Sequence, residues 1–158
     1  LILFFESNYS VALILFFVAS FSDFLDGYLA RKMDSVSVLG EILDPIADKL
    51  LIVFVLIGLS INLDSFLIGF ISAIIISREI WVAALRDINS RNNQSDKTKV
   101  TFLAKTKTAI QMLSILLYLF GLTINNMMIL FFADIILIIA LLVTIQTGFQ
   151  YTISTFKK

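Results

Sequence analysis

The chain has 158 residues, of which 59% are hydrophobic, with one proline and a mean hydropathy of +0.97, a composition that excludes an ordinary water-soluble domain. Its 12 Lys and Arg balance 12 Asp and Glu, so no overall field gathers nucleic acid. The absence of Cys and His excludes disulfides, thiol chemistry and the ligands that favour zinc or copper.

Taken in order, Leu1 to Phe5 are apolar and run into the polar turn Glu6-Ser-Asn-Tyr-Ser10, so they read as the end of an earlier span. Five complete apolar runs follow, at about residues 9–30, 46–63, 66–86, 102–124 and 127–150, each near the 20 residues that cross a bilayer as helix. The expected fold is an all-α polytopic membrane bundle forming a single domain over residues 1–158, N-terminally truncated, with six spans in the parent. The turns near 6–9, 62–65 and 124–127 contain no Lys or Arg, whereas Arg31, Lys32, Arg86, Arg91, Lys97, Lys99, Lys105, Lys107, Lys157 and Lys158 fall on the other side. Positive flanks mark the cytoplasmic face, and the expected location is the cytoplasmic (inner) membrane.

The first polar stretch closes one span and opens the next: Asp23, Asp26, Gly27, Ala30 and Arg31, then Gly40, Asp44 and Asp48. On a helix, residues 23, 26, 27 and 30 share one face, as do 40, 44 and 48. If the two faces meet, each pair of carboxylates repels by about 4 kcal/mol at 4 Å and an effective dielectric near 20. A cation between them is required, and an all-Asp donor set suits hard ions, Mg²⁺ or Mn²⁺. Two ions held by shared carboxylates, with glycines admitting a bulky phosphorylated ligand, is the arrangement of two-metal phosphoryl transfer. Taken alone, Asp44-Pro45 also fits a helix N-cap with proline in the first turn.

Ser77-Arg78-Glu79 lies deep in the third run, with Arg86 about 12 Å further along the helix. Intramembrane charge is functional by default. Neighbours at i and i+1 do not face each other on a helix, so Arg78 is expected to find its anion somewhere other than Glu79; an Arg snorkelling to the surface is the alternative. Asn89 to Lys99 is the one long hydrophilic segment and reads as a mobile loop. The fourth run then opens with Lys105, Lys107, Thr108 and Gln111, cations and hydroxyls at a helix N-terminus that suit a phosphate. Asp134, in the last run, has an interfacial or helix-packing role; Gln146, Thr147, Gln150 and Tyr151 line its far end.

The spacing D-x2-D-G-x2-A-R-x8-G-x3-D-x3-D over Asp23 to Asp48 resembles the signature of the CDP-alcohol phosphotransferase family at every fixed position. Ser77-Arg78-Glu79, Leu85-Arg86 and Lys105-x-Lys107-Thr108-x-x-Gln111-Met112 look like the phosphatidylglycerophosphate synthase branch. The resemblance implies transfer of the phosphatidyl group of CDP-diacylglycerol to glycerol 3-phosphate with release of CMP, and a homodimer. It implies two divalent ions on Asp23, Asp26, Asp44 and Asp48, with Asp48 as general base. CDP-diacylglycerol would lie against Asp23, Asp26, Gly27, Ala30, Arg31 and Gly40, and the acceptor phosphate against Arg78, Arg86, Lys105, Lys107 and Thr108. Inositol phosphate or phosphatidylglycerol as acceptor remains open within the family. A divalent cation transporter is the reading from another class, since intramembrane acids also mark ion paths.

Overall fold

The computed structural model describes residues 8–32, 38–92 and 102–157. Five α-helices account for nearly all of them: α1 (Tyr9–Lys32), α2 (Val38–Asn62), α3 (Phe66–Arg91), α4 (Phe102–Thr123) and α5 (Met127–Phe156). Three stretches, Phe66–Arg91, Thr106–Thr123 and Met127–Phe156, are long and apolar enough to cross a membrane, and shorter apolar helix lies over Tyr9–Ser22 and Lys49–Asn62. The all-α expectation is met with five helices, three of which carry a full membrane-crossing length among the described residues.

The large apolar side chains point both ways. Leu56, Leu59, Ile75, Ile115, Leu119 and Leu137 are buried between helices, while Phe54, Phe66, Phe131, Phe132 and Phe149 stand outward and exposed. Such an outer surface is unfavourable in water and natural in lipid, where helices satisfy their own backbone hydrogen bonds. α5 packs against α4 and α3; α4 also holds α1 and α2, and α2 packs on α3.

Two corners, between α2 and α3 and between α4 and α5, are built alike. Asp64 (φ 48°) and Asn125 (φ 53°) adopt the left-handed conformation. Ser65 N–H returns to the Ser60 carbonyl and Asp64 N–H to Ile61, while Asn126 N–H returns to Gly121 and Asn125 N–H to Leu122. This is the Schellman pattern, which satisfies the orphan carbonyls of a helix end. The next residue caps the following helix: Ser65 Oγ accepts from Ile68 N–H, and Asn126 Oδ1 from Met128 and Ile129 N–H. Gly69 lets Ser60 approach, since a Cβ there would stand 2.7 Å from the Ser60 hydroxyl oxygen. At the same end Tyr9 donates to Asn62, closing α1 on α2.

Three expectations change. α2 begins at Val38, so Pro45 lies inside the helix and the N-cap reading of Asp44-Pro45 does not hold; lacking an N–H, Pro45 leaves the Glu41 carbonyl without its usual i+4 donor. α3 runs on to Arg91 rather than ending near residue 86. Asn89, read as loop, is buried in that extension and donates to Thr155 at 2.9 Å. The cause is mutual support: α5 also continues, to Phe156, and its extension is held to α3 by Trp81 Nε1 to Thr152 Oγ1 at 2.9 Å as well. Residues 93–99, the rest of that expected loop, lie outside the described residues.

Candidate functional site

The polar cluster that the structure describes lies at the end of the bundle away from the corners. Arg78 is 8% exposed and faces inward, so the snorkelling alternative fails. α5 receives it: the Thr144 carbonyl accepts from Nε–H at 3.1 Å and the Thr147 hydroxyl from Nη2 at 2.7 Å. Its Nη1 donates to Glu79 Oε1 at 2.8 Å. The expectation that Arg78 would find its anion elsewhere is thereby corrected. The i,i+1 rule describes where Cβ atoms point, and these two side chains are long enough to curl toward each other.

Glu79 is drawn the same way by Lys107 of α4. Lys107 is buried and donates to the same Glu79 Oε1, while Lys49 of α2 stands 3.6 Å from Oε2. One carboxylate on α3 therefore joins cations from α2 and α4 as well as its own neighbour. Gln111, one turn beyond Lys107, is buried and donates to Thr144 Oγ1 at 3.1 Å, so α4 and α5 close over the cluster. Breaking a buried pair of this kind leaves an uncompensated charge, at a cost of about 3–5 kcal/mol.

Arg86, two turns past Arg78, lies with its Cζ 5.5 Å from the Tyr151 ring centroid; Arg78 is 5.8 Å from the same ring. Arg86 Nε is buried and has no hydrogen-bond partner among the described residues. Among the described side chains Glu79 is the one acid bonded to Lys49, Arg78 and Lys107, and Arg86 joins the group through the Tyr151 ring. A region so rich in cations attracts anions, each added negative charge gaining about 4 kcal/mol per cation at 4 Å and an effective dielectric of 20.

Of the sequence-predicted residues, Arg78, Arg86 and Lys107 come together here, and Thr108 is half-buried just beyond Lys107. For Lys105 the backbone alone is described, within α4. The same holds for Asp23, Asp26, Gly27, Ala30 and Arg31 on α1 and for Gly40, Asp44 and Asp48 on α2; their side chains lie outside the described residues. The motif nevertheless has the helical backbone that its i, i+3, i+4 spacing requires. Lys49 follows Asp48 directly, so its approach to Glu79 ties the motif's second helix to the cationic cluster.

Sequence reasoning missed the parts played by Lys49, Glu79, Thr144 and Tyr151. The available signal was the stripe Thr144, Thr147, Gly148 and Tyr151, at i, i+3, i+4 and i+7 in a helix whose first half is almost wholly apolar. Asp134 has the packing role expected of it, accepting from Tyr118 across the α4–α5 contact.

Comparison with known proteins yields a consistent set. A family model described as CDP-alcohol phosphatidyltransferase matches residues 1–146. The chain is 38% identical over 148 residues to a CDP-diacylglycerol–glycerol-3-phosphate 3-phosphatidyltransferase of Haemophilus influenzae, an alignment covering 92% of this chain and 77% of that protein. Proteins of the same name from Rickettsia bellii (41% over 139 residues, 87% of this chain and 75% of that protein) and Rickettsia typhi (38% over 158 residues, 96% and 85%) are similar to it as well.

Proposed function

The chain belongs to the CDP-alcohol phosphatidyltransferase family, and from that premise we propose that it transfers the phosphatidyl group of CDP-diacylglycerol to glycerol 3-phosphate, giving phosphatidylglycerophosphate and CMP. The observation that carries the choice of acceptor is the group of four cations, Lys49, Arg78, Arg86 and Lys107, against which the described side chains set one carboxylate, that of Glu79. A phosphate monoester carries a charge near −2 at pH 7. The excess of cations over Glu79 among the described side chains attracts such a group, whereas a neutral alcohol such as inositol gives these cations nothing to bind.

The family generally uses divalent metal. The donor set of Asp23, Asp26, Asp44 and Asp48 on two successive helices is all oxygen and acidic, which fits Mg²⁺ or Mn²⁺. Two such ions, when bound, supply charge neutralisation at the pyrophosphate and at the departing CMP. Asp48 takes the proton of the acceptor hydroxyl. The freed oxygen attacks the phosphorus bearing the diacylglycerol, and the bond from that phosphorus to the CMP oxygen breaks. Gly27, Ala30 and Gly40 leave room for the nucleotide, and Arg31 contacts the nucleotide or a neighbouring acid. Arg78, Arg86, Lys105, Lys107 and Thr108 hold the acceptor's phosphate.

In this reading α1 and α2 also cross the bilayer, giving five spans, with the cationic end at the cytoplasmic face of the inner membrane and two copies forming a homodimer. The test offers the full chain, in lipid, CDP-diacylglycerol with glycerol 3-phosphate, inositol phosphate or phosphatidylglycerol in turn and follows CMP release. Release with glycerol 3-phosphate alone is expected; release with only one of the others would replace the acceptor and leave the family standing. Cation flux without CMP release would favour the transporter reading.

A further inference from the structure

The last turns of α5 carry one small and polar face, and each of its members meets Arg78: the Thr144 carbonyl, the Thr147 hydroxyl, the open side of Gly148 and the ring of Tyr151. Three donor groups of Arg78 are thereby committed to the protein, to Thr144, Thr147 and Glu79. Arg86 is placed differently. Its Nε, although buried, has no hydrogen-bond partner among the described residues, and its cation lies against the face of Tyr151, 5.5 Å from the centroid. Tyr151 is 3% exposed and packs with Val82 and Leu85, the residues between the two arginines on α3. One aromatic ring on α5 thus bridges two guanidinium groups two turns apart on α3. A ring face attracts cations through its quadrupole, more strongly where water is excluded.

We infer that Tyr151 is a positioning residue for the acceptor's phosphate seat, acting through Arg86. Its ring holds the Arg86 guanidinium beside Arg78 without consuming hydrogen-bond donors, so that those donors stay available to the phosphate monoester. Arg78 and Lys107, tied to Thr144, Thr147 and Glu79, form the fixed wall of the seat, and Arg86 is the arm that closes on the ligand. The inference rests on the phosphate-seat reading given above, and its test separates the two.

CMP release by the full chain in CDP-diacylglycerol-containing micelles is measured against glycerol 3-phosphate for Arg86→Ala, Tyr151→Leu, Tyr151→Phe and the double variant Arg86→Ala/Tyr151→Leu. Tyr151→Leu is expected to raise KM for glycerol 3-phosphate about tenfold, with KM for CDP-diacylglycerol unmoved. Tyr151→Phe, which returns the ring, recovers most of that loss. The double variant is no worse than Arg86→Ala alone, because both changes act on one group. A raised KM in Arg86→Ala with none in Tyr151→Leu would overturn the inference and leave the seat intact. So would a Tyr151→Phe as impaired as Tyr151→Leu, or losses that add in the double variant. If Arg86→Ala moves no KM, the seat reading itself fails. Should Tyr151→Leu not yield folded protein, Tyr151→Met, flexible and without a ring face, takes its place in the same comparison.

Discussion

Gly148 of α5 lies against the stem of Arg78 of α3, where a methyl group on its Cα would stand 3.1 Å from Arg78 Cγ and 3.4 Å from Nε. Arg78 is in no position to yield, being bonded to Thr144, Thr147 and Glu79 at its head. Gly148→Ala is therefore expected to cost about 1–3 kcal/mol by overpacking, despite the better helix propensity of alanine. Thermal unfolding in detergent measures the loss, and an unchanged or raised midpoint would show that the arginine stem moves aside freely.

The shared carboxylate gives a second prediction. Glu79→Gln should destabilise the protein by about 3–5 kcal/mol, because it strands the buried Arg78 and Lys107, and Lys107→Met by less, because Glu79 keeps Arg78 and Lys49. Combined, they should cost less than the sum by at least about 1 kcal/mol, the mark of a direct pair. Simple additivity in the cycle would mean that the two side chains do not share an ion pair in the membrane.

Part of this arrangement was legible in advance, and the limits have physical causes. Apolar runs and charged flanks placed all five helices, because a membrane enforces composition along the whole length of a span. Arg78 stood out for the same reason, as an intramembrane cation. Its pairing with Glu79 did not, since spacing rules follow Cβ directions and take no account of how far a long side chain can turn when a third group, Lys107, draws it. Thr144 and Thr147 were unreadable as partners because their sequence distance from Arg78 is 66 and 69 residues, and only packing of α5 on α3 brings them close. The extensions to Arg91 and Phe156 were missed because each is polar, and its stability comes from the other.

Asp48→Asn should nearly abolish turnover while CDP-diacylglycerol still binds, since the variant loses the proposed base and weakens one proposed metal position. Asp23→Asn should reduce metal affinity as well. Chelation of divalent ions should stop CMP release, with Mg²⁺ or Mn²⁺ restoring it. Activity of Asp48→Asn close to that of the parent would remove this residue from the base role, and an undiminished rate in chelator would remove the metals.

Tyr118 and Asp134 join α4 to α5 nearer the corner end, far from the cationic cluster. Tyr118→Phe leaves the carboxylate without its donor and should cost about 1–3 kcal/mol of stability, with KM for glycerol 3-phosphate unchanged. A selective rise in that KM would show that this contact reaches the seat after all.

The two matching corners, each closed within three residues by a left-handed turn and an immediate cap, act as a fixed fulcrum. Arg78 lies 13 residues from Ser65, about 20 Å along α3 at 1.5 Å per residue. A rocking of α3 by about 5° around its corner would carry Arg78 about 1.7 Å, while residues beside the corner hardly shift. Lever geometry thus concentrates any breathing of the bundle at the anion-seeking end and keeps the opposite rim still.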